Sequence, residues 1–219
     1  MRFAYPVALD LTDKRAVVIG EQAVRERKVE GLLAGGVGDV LVVVEGSPES
    51  LDALEALEER VRVERRHWTP SDLDGTFLCI ASSDDPQTRD AIAAAARSRG
   101  VLMNMMDDVA NCDWAAPAVV RRGELVLAIS TGGASPALAK RLRLELADRF
   151  GVEWAEVLAV LRAVRDETMP ALPDLGERAR RWSRALDLDE AAELVRVGRG
   201  DELRERLVTR LLAADEVPG

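Results

Sequence analysis

The alternation of short apolar runs with helical stretches over the first half of the chain limits the possible folds more than any other feature. "RAVVIG" (15–20), "DVLVVVEG" (39–46), "RVRVERR" (60–66), "TFLCIAS" (76–82) and "VLMNMM" (101–106) are rich in Val, Ile and Leu, and three of them are nearly continuous in apolar character. Runs of that kind suit parallel strands covered on both faces. Helices are expected between them at about 22–35, about 50–58 and 86–98, the last opening on Pro86. Strands and helices joined by short links predict an α/β fold, a Rossmann-like parallel sheet with right-handed crossovers.

The pattern then changes. "APAVVRRGELVLAIS" (116–130) reads as two strands around a turn at Arg122-Gly123. From Ser135 onward helices are expected at 135–149, 153–167, about 175–187 and about 189–213, with a break near Gly198-Arg199-Gly200. "DETMPALPDLGE" (166–177), with its two prolines and a glycine, reads as a linker.

Composition narrows the function. A chain of 219 residues with 47% hydrophobic and 32% charged residues can bury one good core. Its net charge of −9 argues against sequence-independent nucleic-acid binding, which needs net positive charge. Met1–Asp10 has no apolar signal core and no run approaches the ~20 residues that span a bilayer, so no membrane partner is expected. Two cysteines, Cys79 and Cys112, and one histidine, His67, fit neither a disulfide framework nor a zinc site. A reducing, cytoplasmic setting is expected. Cys79 reads as core, Cys112 in "ANCDW" as accessible with no base beside it, and His67 as a surface or half-buried residue.

Three turns could carry chemistry. The first, "AVVIGEQAVRERK" (16–28), runs from strand to helix through Gly20. A dinucleotide fingerprint needs glycines for the tight turn, for backbone approach to the pyrophosphate and for helix packing. Counted from Gly20, the second and third glycine positions hold Gln22 and Arg25, so a plain structural turn is the competing reading. Glu45, closing the second strand, stands where an acid binds ribose hydroxyls and disfavours a 2′-phosphate.

The second turn, "AISTGGASPALAKRLR" (128–143), leads into Ser135 as N-cap and Pro136 as the first helical residue. Such a helix start attracts anions, and Lys140, Arg141, Arg143, Arg121 and Arg122 lie nearby in sequence. The competing reading is a capped helix with a solvated basic face. The third, "NMMDD" (104–108), places Asp107 and Asp108 just past the fifth strand, where ligands of open α/β folds collect. A carboxylate there serves as general base, as metal ligand, or as an ordinary loop cap. Asp84 and Asp85 read as caps of the helix at Pro86.

Taken in order, "YPVALDLTDKRAVVIG…RK", "LDGTFLCIASSDD", "NMMD" and "AISTGGASPALAKRLR" resemble the precorrin-2 dehydrogenase domain of siroheme synthases, a family in which some members are also sirohydrochlorin ferrochelatases. The resemblance runs from about Phe3 to about Ala147 and more weakly beyond. It implies a Rossmann-like dinucleotide-binding domain at 1–113, a hairpin-plus-helix dimerisation segment at 114–150, a small all-helical domain at 151–219, and a homodimer. It also implies NAD-dependent dehydrogenation of precorrin-2 to sirohydrochlorin, with Fe2+ as the chelation substrate where iron is inserted. Asp107 takes the position of the aspartate tied to proton removal and chelation, and so is the metal candidate as well.

The cofactor would meet Gly20, Glu21, Gln22, Ala23, Glu45, Ser83 and Asn104. The anionic tetrapyrrole would meet Arg121, Arg122, Thr131, Gly132, Gly133, Ser135 and Lys140. At Gly20-Glu21-Gln22 the chain departs from the family, whose members carry three consecutive glycines there. That departure keeps a second reading open: a tetrapyrrole- or metal-binding relative, whether chelatase, carrier or regulatory module, that has lost NAD.

Overall fold

A computed structural model describes residues 3, 5–25, 27–45 and 59–213; the helix expected at about 50–58 lies outside them. The chain divides into two compact units, Met1–Ala116 and Pro117–Gly219.

The first unit is built on five strands: β1 (Arg15–Ile19), β2 (Asp39–Val44), β3 (Val61–Arg65), β4 (Leu78–Ala81) and β5 (Leu102–Met105). They pair in the order β3-β2-β1-β4-β5, every pair parallel. This is the expected α/β sheet. Side chains alternate between its faces, so the apolar runs feed two cores. Ala16, Val18, Val40, Val42 and Ile80 pack with Val24, Val29 and Leu32 on one face. Val17, Ile19, Leu41, Cys79 and Met103 pack with Leu73, Ile92 and Ala96 on the other. Burying each large aliphatic side chain contributes ~1.5–3 kcal/mol.

The strands stop short of the apolar runs, which leaves Gly20, Glu45, Ser82 and Met106 in loops at the carboxyl edge. The order reverses direction between β1 and β4, the point at which open α/β sheets form their ligand crevice.

One expected helix is two. Helices α1 (Glu21–Arg25) and α2 (Lys28–Ala34) are separated by Arg27, whose φ of 58° is left-handed. The kink lets Ala23, Val24, Val29 and Leu32 all reach the core, which an unbroken helix over these positions does not do. Helix α3 (Pro86–Ser98) starts as expected: Asp85 caps it, accepting from the Gln87 and Thr88 amides at 3.2 and 2.9 Å.

The second unit opens with the antiparallel hairpin β6 (Ala118–Arg122) and β7 (Leu125–Ile129). Its turn is Gly123-Glu124, one residue later than expected, because Arg122 pairs with Leu125 and the left-handed position, φ 56°, falls on Gly123. Helices α4 (Pro136–Arg149), α5 (Trp154–Thr168), α6 (Leu175–Ala185), α7 (Leu188–Arg196) and α8 (Gly200–Leu212) follow. The last four share a core of Trp154, Val157, Val164, Leu194, Leu203 and Leu207. Helix α4 buries none of its residues within the chain.

Candidate functional site

The β1 turn is locked from below. Gly20 has φ 92°, and its amide donates to the Val43 carbonyl at 2.9 Å. A Cβ on Gly20 would lie 2.1 Å from the Ser82 carbonyl oxygen and 2.6 Å from Ser82 Oγ. Only glycine lets β1's turn lie against the end of β4. Ser82, which the sequence reading did not single out, is buried, and its Oγ accepts from the Ala23 amide at 3.1 Å. The only hint of it in sequence was a small polar residue ending a buried strand. Ala23, expected at the cofactor, therefore has its N–H committed to the protein itself.

Above the turn, Gln22 is exposed, and its Nε2 donates to Asp107 Oδ2 at 3.3 Å. Asp107 is exposed and left-handed at φ 59°, a conformation uncommon outside glycine but tolerated best by Asn and Asp. Asp108 has a different task. It accepts from Asn111 Nδ2 at 3.0 Å and faces Arg89 Nε at 3.7 Å, tying the loop to α3. The two adjacent aspartates divide into one exposed at the sheet's carboxyl edge and one inside the loop.

Other expected cofactor residues are occupied nearby. Asn104 Nδ2 donates to the Trp114 carbonyl at 2.9 Å, so its amide braces the chain after β5. Ser83 Oγ accepts from the Asp85 amide at 3.2 Å, and the Ser83 carbonyl accepts from Arg89 at 2.8 Å. Glu45 is exposed and meets His67 Nδ1, a pairing the sequence did not suggest. Cys112, expected to be accessible, is buried: the Met105 amide donates to its Sγ at 3.2 Å, which closes the loop onto β5. Burial pushes the Cys79 thiol far up, as suits an inert core residue. Among the described residues no group of three or more His, Cys, Asp or Glu side chains could hold a metal ion.

In the second unit the loop before α4 is largely self-satisfied. Thr131 Oγ1 accepts from the Ser135 amide at 3.2 Å, the Gly132 amide donates to Ser130 Oγ at 3.2 Å, and Ser135 Oγ caps the Leu138 amide at 3.1 Å. Gly132 and Gly133 are left-handed, at φ 61° and 84°. Gly133 is exposed, and no hydrogen bond from its amide is found among the described residues. Arg122 donates to the Phe150 and Ala147 carbonyls at 2.9 and 3.1 Å, so its guanidinium clamps the end of α4 instead of facing solvent. Arg141 pairs with Glu145 at 2.8 Å. Arg121 and Lys140 are exposed.

A family model described as "Putative NAD(P)-binding" matches residues 7–118, the whole sheet and its edge. A second, described as sirohaem biosynthesis protein central, matches residues 122–149. The chain belongs to the family described as putative NAD(P)-binding. It is 32% identical to a siroheme synthase of Chromobacterium violaceum over 84% of its own length and 38% of that protein. With a siroheme synthase of Methylococcus capsulatus it shares 31% identity over 95% of its length and 44% of that protein. The chain thus spans about two fifths of the length of these relatives. Its fold matches the solved structure of SirC, a precorrin-2 dehydrogenase, with a TM-score of 0.68 over 93% of this chain and 98% of that one, at 24% identity.

The residues at the crevice fit a nicotinamide dinucleotide. Gly20 keeps the β1 turn free of a side chain at the switch point, and an acid ends β2. Gln22, a bulky side chain at the second glycine position, donates to Asp107.

Proposed function

We propose that this chain is an NAD-dependent dehydrogenase of precorrin-2, forming sirohydrochlorin in siroheme biosynthesis. The supporting observation is Asp107: an exposed carboxylate in a left-handed backbone at the carboxyl edge, held by the residue that follows the turn glycine by two places. Strained non-glycine positions of this kind collect at working sites.

Gly20 and Glu45 would hold the cofactor, with the Glu45 carboxylate on a ribose. Bound NAD+ supplies a hydride acceptor. Dehydrogenation removes two hydrogens from the macrocycle, one with its electron pair and one as a proton. Asp107 takes that proton on its carboxylate, while Gln22 keeps the group oriented through Oδ2. On the second unit, the exposed Arg121 and Lys140 and the loop at Gly133 are suited to carboxylates of an anionic substrate, through charge-assisted hydrogen bonds. We assign Fe2+ delivery, where iron is inserted, to the same Asp107.

The active form is a homodimer formed through residues 114–150. No residue of helix α4 is fully buried in its own chain, and Val126, Leu138 and Leu144 stay 44–50% exposed. Light scattering at micromolar concentration should give twice the 23.9 kDa chain mass. The two buried thiols suit the cytoplasm.

Glu21 and Gln22 favour a second reading, a relative that binds a tetrapyrrole or metal without a nicotinamide cofactor. Calorimetric titration with NAD+, followed by absorbance of NADH on adding precorrin-2, separates the two. Binding and NADH formation support the dehydrogenase. No heat and no NADH overturn it.

A further inference from the structure

A chain of hydrogen bonds leads from a buried carboxylate to the acid that ends β2. Asp72 is 6% exposed and accepts from Arg66 twice, at 2.8 and 2.6 Å, and from the Thr69 amide at 2.7 Å. The Arg66 guanidinium beside it holds the Asp72 carboxyl below the usual carboxylate range. Arg66 also donates to Glu64 at 2.7 Å and, through Nη1, to the His67 carbonyl at 2.9 Å. The backbone of His67 is therefore fixed by a clamped, bidentate guanidinium. From that fixed point the His67 ring turns Nδ1 to Glu45 Oε1. A carboxylate only accepts, so the nitrogen facing it carries the proton.

One oxygen of Glu45 is thus held by His67, and the other has no partner among the described residues. The Gly20 amide bonds the Val43 carbonyl, so the β1 turn is anchored two residues before Glu45. In a sheet of this order, an acid at the end of β2 faces the adenosine ribose.

We infer that His67 is a positioning residue for cofactor choice: it holds Glu45 Oε1 so that the free oxygen meets the ribose hydroxyls of NAD and repels the 2′-phosphate of NADP. The inference rests on the dinucleotide reading given above. A glutamate side chain free in solution populates many rotamers, and ordering it opposes binding. The Asp72–Arg66–His67 chain does that ordering before the cofactor arrives, using groups that never touch it. His67 itself is 86% exposed, so its ring can be replaced without loss of core packing.

The test is a calorimetric double-mutant cycle with NAD+ and NADP+ as probes. His67→Ala should weaken NAD+ by about 5-fold, in the range of one net hydrogen bond at an exposed site, and narrow the preference for NAD+ over NADP+. His67→Asn, whose amide donates from nearly the place of Nδ1, should restore most of both. In a Glu45→Ala background, His67→Ala should change nothing further. Equal weakening with and without Glu45 would overturn the inference, as would an unchanged NAD+/NADP+ ratio in His67→Ala. If the wild type binds neither dinucleotide, the dinucleotide reading falls first and this one with it; if it binds and only the cycle fails, that reading stands alone.

Discussion

Gln22 Nε2 donates to Asp107 Oδ2 at 3.3 Å, joining the β1 turn to the loop after β5 across 85 residues of sequence. A side chain that interrupts the glycine fingerprint is the one that bonds the carboxylate opposite. Gln22→Gly should therefore act in two directions. Bare backbone at the turn should tighten NAD+ by about 3-fold or more, while turnover at saturating NAD+ falls by about 2–5-fold as Asp107 loses its donor. Calorimetry and steady-state kinetics read the two effects separately, and a variant unchanged in both would remove Gln22 from the site.

Asp107→Asn keeps the shape of the side chain and suits the left-handed backbone at φ 59°, so folding should be undisturbed. Loss of the base should lower NADH formation by ~10²-fold or more, with the melting temperature nearly unchanged. Normal turnover would end the assignment of Asp107 as base.

Gly20→Ala should destabilise the first unit rather than weaken binding alone. The added methyl would lie 2.1 Å from the Ser82 carbonyl oxygen at a residue already at φ 92°, an overlap that costs ~3 kcal/mol or more. Ser82→Ala should cost less, ~1–2 kcal/mol, because it strips the Ala23 amide of its buried acceptor. Urea melts that rank Ser82→Ala as the more damaging change would contradict the packing described for this turn.

The second unit should respond to acid through Glu190. Arg210 and Arg206 each bond its carboxylate at 2.5 Å and hold its pKa down to about 2, against an ordinary 4.5. A depressed carboxylate stabilises the fold fully above its unfolded value and loses that contribution as pH falls through the folded one. Glu190→Gln should therefore be less stable than wild type by on the order of 1 kcal/mol at neutral pH, after allowing for water screening of these surface pairs. That gap should close between about pH 4.5 and pH 2. A gap independent of pH would show that the arginine pairs do not carry it.

Much of the architecture was legible in the chain itself. Nearly continuous apolar residues in β1 and β2 call for cover on both faces, and with helical stretches between the strands that points to a parallel sheet flanked by helices. Asp85-Pro86 and Ser135-Pro136 marked two helix starts because capping and proline φ are local effects. Pattern could not show the break at Arg27: it comes from the demand that Val24 and Val29 face the same sheet.

The candidate site was legible only in part, because its contacts join distant segments. Sequence placed Gly20, Glu45 and Asp107 at strand ends, which is where a parallel sheet gathers its ligand edge. Tertiary structure decided what each does there. It brought Gln22 to Asp107, turned Asp108, Asn104 and Arg122 inward to brace loops and helix ends, closed Cys112 beneath β5, and set His67 against Glu45. Residue type states what a side chain can donate or accept, but only the folded chain supplies the partner, and a polar group bonds whichever partner packing places within about 3 Å.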